Sequence, residues 1–201
     1  MTIINGYATR AELLRELMGP DDAAQPNAVD DEVLDDILTD ASRAVDHFCG
    51  RQFYASARTL NLDVPDDRQL YFGCDVLAVQ GASDGLGAVV ASGNYYLWPR
   101  NANSFNSLVL TESASTGWYG ASSGNTEGVI TVAASVGFCN RAASAASDNG
   151  ENLKIIGATR RATLIRAAIV YRQRHNQSVY ERNAKDEDWQ ALVEGYVRGV
   201  V

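Results

Sequence analysis

Three features of this sequence predict an α+β fold, with N- and C-terminal helices packed together as a helical bundle and an inserted small antiparallel β domain. Apolar residues recur at helical spacing near both ends of the chain. Between them lie short β-type runs separated by glycine, serine and asparagine. Neither helical end carries enough apolar surface to bury its own stripe, so the two ends must meet in space. The expected domains are an N-terminal helical part over 1–50, an inserted β domain with mobile loops over 51–150, and a C-terminal helical part over 151–201 packing on the N-terminal helices.

Thr9 is a good N-cap, and Glu12 three residues later completes a capping box, so a helix is expected over Arg10–Met18. Leu13, Leu14 and Leu17 give it one apolar stripe, and Gly19-Pro20 ends it ahead of a polar loop over 21–27. A second helix is expected from Asp30 or Asp31, where acids favour the positive helix end. Its buried face is Val33, Leu34, Ile37, Leu38, Ala41, Ala44, Val45 and Phe48, and Gly50 supplies its stop.

The middle of the chain reads as strands over 53–62, 69–72, 76–80, 88–91, 95–98, 108–111 and 129–136. Ser83-Asp84-Gly85 and Ser92-Gly93-Asn94 carry the turn chemistry that hairpins need. The small, polar stretches 112–127 and 141–149 are expected to be mobile loops. Helix returns at Ala158, with Ala162, Ile165, Ala168, Ile169 and Arg172 on neighbouring faces and alanines permitting close helix contact. A last helix over 186–198 carries Trp189, Leu192, Val193, Tyr196 and Val197 on one side.

Composition bounds the function. At 201 residues, 46% hydrophobic and 21% charged, the chain is ordinary for a globular protein. A formal net charge of −8 argues against tight binding of free nucleic acid, which draws on a basic surplus. Cys49, Cys74 and Cys139 are odd in number and widely spaced, which predicts buried thiols in a reducing compartment rather than disulfides or zinc. No signal-peptide pattern and no membrane-length apolar run is present, so a soluble protein that stays where it is made is expected, with no membrane contact.

Charge is unevenly placed. Acids crowd the first third, including Asp21, Asp22, Asp30, Asp31, Glu32, Asp35, Asp36, Asp40 and Asp46. Arginines dominate later, at Arg160, Arg161, Arg166, Arg172, Arg174 and Arg182. Such opposition suits head-to-tail contact between copies; two amphipathic helices with solvated faces inside one monomer account for it equally well.

Convergent catalytic chemistry is not legible, so no catalytic, cofactor or metal residue is expected. His47 and His175 fall late in helical segments and read as packing or helix-end histidines. Gly85-Leu86-Gly87 starts like a dinucleotide loop, but Val90 stands where a third glycine belongs, and a hairpin turn explains it. Asp63, Asp66 and Asp67 read as a solvated turn more readily than a cation site. Trp118 and Tyr119, in a stretch without basic residues, fit a partner-docking loop better than a base-stacking platform. The arginines of the basic helix are candidates for phosphate contacts or for an acidic helix of a neighbouring copy.

The run Ala44-Val45-Asp46-His47-Phe48-Cys49-Gly50-Arg51-Gln52-Phe53 resembles the helix ending of tailed-bacteriophage head–tail connector (adaptor, or head-completion) proteins, in which an arginine and a phenylalanine two residues apart follow the helix. Gly93-Asn94-Tyr95-Tyr96-Leu97-Trp98-Pro99 is similar to the Tyr-x-Leu strand of longer members. Gly128-Val129-Ile130-Thr131-Val132, with Val136-Gly137-Phe138 after it, resembles a further strand, and the alanine-rich 162–171 a further helix. The order of all four pieces agrees over most of the chain. The resemblance implies a non-enzymatic virion structural protein of the neck, assembled in the bacterial host cytoplasm as a homo-oligomeric ring beneath the portal. Its implied partners are itself, the portal protein and a stopper or tail protein, with double-stranded DNA passing transiently and without specificity.

On this basis, Arg160, Arg161, Arg166, Arg172 and Arg174 are expected at intersubunit or portal contacts. Asp35, Asp36 and Asp40 are expected along the channel or between subunits, and Trp118 and Tyr119 in the docking loop. A stopper or tail terminator is the alternative within the neck, and a DNA-binding module using the basic helix is the alternative outside it.

Overall fold

A computed structural model describes residues 6–18, 28–114, 117–141, 153–154, 156–175 and 187–198. The chain divides into two units, Met1–Arg51 with Ile155–Val201, and Gln52–Lys154. It is mixed α+β, with helices towards both ends and a sheet in the middle.

In the first unit, α1 spans Arg10–Met18 and α2 spans Ala28–Cys49. The capping box ahead of α1 is present. The Thr9 backbone N–H donates to Glu12 Oε2 at 2.9 Å, and the Glu12 N–H reaches back to Thr9 Oγ1 at 3.4 Å. The segment before it is pinned to α2, since the Tyr7 N–H donates to Ser42 Oγ at 3.1 Å and the Tyr7 hydroxyl to Asp46. At the far end of α2, Gly50 adopts φ 60°. Its N–H donates to the His47 carbonyl at 3.3 Å and the Arg51 N–H to the Asp46 carbonyl at 3.1 Å, the paired bonds of a Schellman stop. Here glycine is needed, because the left-handed conformation penalises a Cβ.

Helix α3 spans Gly157–His175 and α4 spans Glu187–Val193, followed by a 3-10 turn at Glu194–Tyr196. Leu34, Ile37, Leu38 and Ala41 of α2 share one core with Leu13 of α1 and Leu164, Ala167 and Ala168 of α3. Helix α4 buries Trp189 and Val193, and Trp189 meets Phe48 edge-on at 5.4 Å between ring centroids. Leu192 and Val197, expected on that same side, are exposed. The α-helix ends at Val193, and the 3-10 turn that follows departs from the helical period that would have aligned Val197 with Trp189.

The second unit is a five-stranded antiparallel sheet. Its strands are β1 Ser56–Leu62, β2 Gln69–Ser83, β3 Tyr95–Trp98, β4 Phe105–Leu110 and β5 Ile130–Val136, in the order β1-β5-β2-β4-β3. A two-residue ladder joins β6 Asn140–Arg141 to β7 Leu153–Lys154. Residues 142–149 of the second expected loop lie outside the described residues. Alternation along β5 turns Ile130, Val132, Ala134 and Val136 inward against Leu70, Phe72, Leu108 and Leu110.

Two expectations for the middle change. The runs 69–72 and 76–80 are one strand, because Gly73 at φ 68° lies in an irregularity between Tyr71 and Val76 that lets the strand bulge and continue. Its first half pairs with β4 and its second with β5. The run 88–91 is not a strand and contributes only a bridge between Val89 and Ser83. The cause is Asp84, whose Oδ1 accepts the N–H groups of Leu86 at 3.0 Å and Ala88 at 2.8 Å and folds the chain into a tight tip.

Gly137 follows β5 at φ 149°, where a Cβ would overlap the backbone of Tyr54. Gly137→Ala is therefore expected to lower the unfolding free energy by about 1–3 kcal/mol. Gly81→Ala, with nothing within 4 Å of the added carbon, should stay within about 0.5 kcal/mol of the parent. Urea midpoints for the two variants check this.

Candidate interaction surfaces

Charges in the helical unit sort into groups satisfied inside the chain and groups left exposed. Arg10 is the centre of the first set. Its Nε and Nη2 donate to the two oxygens of Asp35 at 3.0 and 2.7 Å, and its Nη1 meets Asp31 at 2.6 Å. This bidentate pairing with Asp35 is the main reason the guanidinium pKa is raised. Asp35 is itself buried, at 2% exposure, so it is not free to line a channel or meet another subunit. The spacing that placed it among the outer acids also suits a turn facing α1.

Of the arginines expected at intersubunit or portal contacts, Arg160 pairs with Glu12, and Arg161 with Glu16 at 2.5 Å. Both are half-exposed pairs, of the kind that contribute at most about 1 kcal/mol each. Arg166 is half-buried. Arg172 is exposed and donates to the Glu16 carbonyl at 3.3 Å, and Arg174 is exposed. Asp36 and Asp40 are exposed on α2, one turn apart.

In the β unit, Trp118 is not a surface anchor. It is buried in the sheet core, with its indole N–H directed at the Arg68 carbonyl at 3.3 Å. Residues 115–116 of the stretch expected to be mobile lie outside the described residues; its later part is held by further bonds: the Gly85 N–H donates to the Tyr119 carbonyl, the Ala121 N–H to the Asn125 carbonyl and the Val64 N–H to the Thr126 carbonyl, each at 2.8 Å. Composition hides this, because a single inward-facing indole anchors many small polar neighbours. Tyr119 remains 50% exposed beside the tip that carries exposed Leu86 and Val89.

Among the described residues, no group of three or more His, Cys, Asp or Glu is arranged to hold a metal ion, and no helix is long and apolar enough to cross a membrane. Asp67 accepts the Gln69 N–H and caps a local turn, and Asp63 accepts the Gly128 N–H and ties two distant segments together, each at 2.7 Å. His47 is exposed in the last turn of α2.

No protein-family model and no curated protein matches the sequence. A chain from a structure described as the neck of an empty GTA particle, computed with C6 symmetry, superposes with a TM-score of 0.66 at 16% identity, over 100% of this chain and 94% of that one. The chain shares its fold with a neck chain of a phage-like particle. A second chain, from the virion of a native gene transfer agent (GTA) particle, superposes at 0.64 with 17% identity over the same shares.

Two outcomes follow from the buried groups. Asp35→Ala is expected to cost about 1–3 kcal/mol, because a buried charge-assisted pair is lost, while Asp36→Ala should change stability by less than about 0.5 kcal/mol. Thermal melts of the two variants test the contrast. Burial pushes the Cys49 and Cys139 thiols from 9.0 up to about 11. Above pH 9 the unfolded chain therefore releases these protons first, so their contribution to stability is full below pH 9 and falls as pH rises towards 11. The stability–pH profile of the Cys49→Ala/Cys139→Ala variant should be flatter over that interval than that of the parent.

Proposed function

We propose that this chain is a non-enzymatic structural subunit of a phage neck, one member of a ring beneath the portal that extends the DNA channel and joins head to tail. The observation that carries the reading is the likeness of fold, along the whole chain, to a chain of a phage-like particle neck. A sequence without a legible catalytic constellation fits it, since the work of such a subunit is done by shape and charge. Helices at both ends favour an adaptor over a stopper or tail terminator, whose architecture is dominated by strands.

In this reading the partners are other copies of the chain, the portal protein, and a stopper or tail protein. Packaged duplex passes through without being held. A net charge of −8 suits that passage, because an acidic wall repels phosphates and leaves the duplex free to slide. Exposed acids such as Asp36 and Asp40 serve the channel or a subunit contact, and Arg166, Arg172 and Arg174 serve contacts with a neighbouring subunit or the portal. Tyr119, beside Leu86 and Val89, offers the β unit's docking tip. The site of action is the virion neck, after assembly in the host cytoplasm.

Electron microscopy of the purified chain mixed with its portal protein tests the proposal. The expected result is a ring of copies stacked on the portal, with an axial opening wide enough for duplex DNA. A chain that stays monomeric and leaves the portal bare would overturn it. In a gel-shift assay at physiological salt, the free chain is expected to leave duplex DNA unshifted.

A further inference from the structure

We propose that α4 and the 3-10 turn after it form a strap that opens and closes over the end of α2 while the rest of the helical unit stays folded. The inference concerns the free chain and does not rest on the ring reading.

The strap meets the end of α2 through side chains and backbone. Trp189 packs edge-on against Phe48, 5.4 Å between ring centroids. The Cys49 thiol is directed at the Val193 carbonyl at 3.7 Å, and the Arg198 N–H donates to the Cys49 carbonyl at 2.8 Å. That last bond satisfies a carbonyl which the helix end leaves without an internal partner. Cys49 is fully buried, and the stop at Gly50 follows it, so the strap holds the chain just before it passes into the β unit at Gln52.

Little holds the strap in return. Helix α4 has seven residues, too few to persist as a helix away from its support. It buries Trp189 and Val193, whereas Leu192 and Val197 are exposed. Helices α3 and α4 pack together, and three buried polar atoms on them have no hydrogen-bond partner: the Trp189 indole Nε1 and the hydroxyls of Thr159 and Thr163. A donor that gives up water without gaining a partner weakens the docked state, and undocking returns the Trp189 N–H to solvent.

The main seam of the unit is built differently. Leu34, Ile37, Leu38 and Ala41 meet Leu164, Ala167 and Ala168 through apolar surface, and no described residue of α4 belongs to that cluster. Opening the strap therefore gives up a few contacts and leaves the seam intact, which is the condition for a local opening below the free energy of global unfolding.

The Cys49 thiol reports the opening, because alkylation requires it to leave its cover. Iodoacetamide labelling of the full chain in rising urea, resolved by peptide mass spectrometry, is compared with unfolding followed by circular dichroism. Cys49 is expected to be labelled at least about tenfold faster than global unfolding permits, at a rate nearly independent of urea while the chain stays folded. Two variants separate the strap from the seam. Val193→Ala is expected to speed Cys49 labelling by about tenfold, since it removes buried methyl groups from the strap. Ile37→Val should lower the melting temperature and leave the Cys49 rate within about twofold of the parent. Labelling that tracks global unfolding in urea, or that rises with Ile37→Val in proportion to the stability lost, would overturn the strap and assign Cys49 exposure to unfolding of the whole unit.

Discussion

The architecture depends on covering the apolar stripe of α2. Leu34, Ile37, Leu38 and Ala41 are buried, and the surface that covers them comes in part from Leu164, Ala167 and Ala168, more than a hundred residues further along the chain. Each large aliphatic side chain removed from water contributes roughly 1.5–3 kcal/mol, so the seam outweighs any single ion pair on the helical surface. The alanines of α3 matter by being small, since they let the two helix backbones approach closely. Once this seam exists, the two ends of the chain belong to one unit and the sheet becomes an insertion within it.

Polar contacts refine that seam without creating it. The Asp35 carboxylate is tolerated in the interior because both of its oxygens are met by Arg10, which also fixes α1 against α2. Tyr7 does similar work at the other end of the same helix pair, with the Arg43 guanidinium 5.4 Å from its ring centroid and its hydroxyl bound to Asp46. The acid-rich helix and the arginine-rich helix are thus partly neutralised by their own neighbours.

The sequence was informative where local chemistry decides the outcome. The capping box of Thr9 and Glu12, the stop at Gly50, the strand at Tyr95–Trp98 and the alternation along Ile130–Val136 all depend on residues close in the chain, and all were readable. Tertiary choices were not. Gly73 reads as a break but acts as a bulge inside one long strand, because β4 and β5 hold its two halves. Trp118 reads as an exposed aromatic in a polar loop but is drawn into the sheet core. In α2, helical spacing placed Leu34, Ile37, Leu38, Ala41 and Val45 on the buried face. It had no means of telling which acid of α2 meets α1 and which meets solvent, so Asp35, buried against Arg10, was grouped with the exposed Asp36 and Asp40.

The split helical unit also bears on how the protein is made. Translation delivers α2 first and then the whole of Gln52–Lys154 before α3 leaves the ribosome. At roughly 5–20 residues per second, the stripe on α2 waits on the order of ten seconds for its cover. During that interval an uncovered aliphatic helix is a target for holding chaperones and for aggregation with other nascent chains. Its acidic opposite face helps to keep it in solution until the last quarter of the polypeptide arrives.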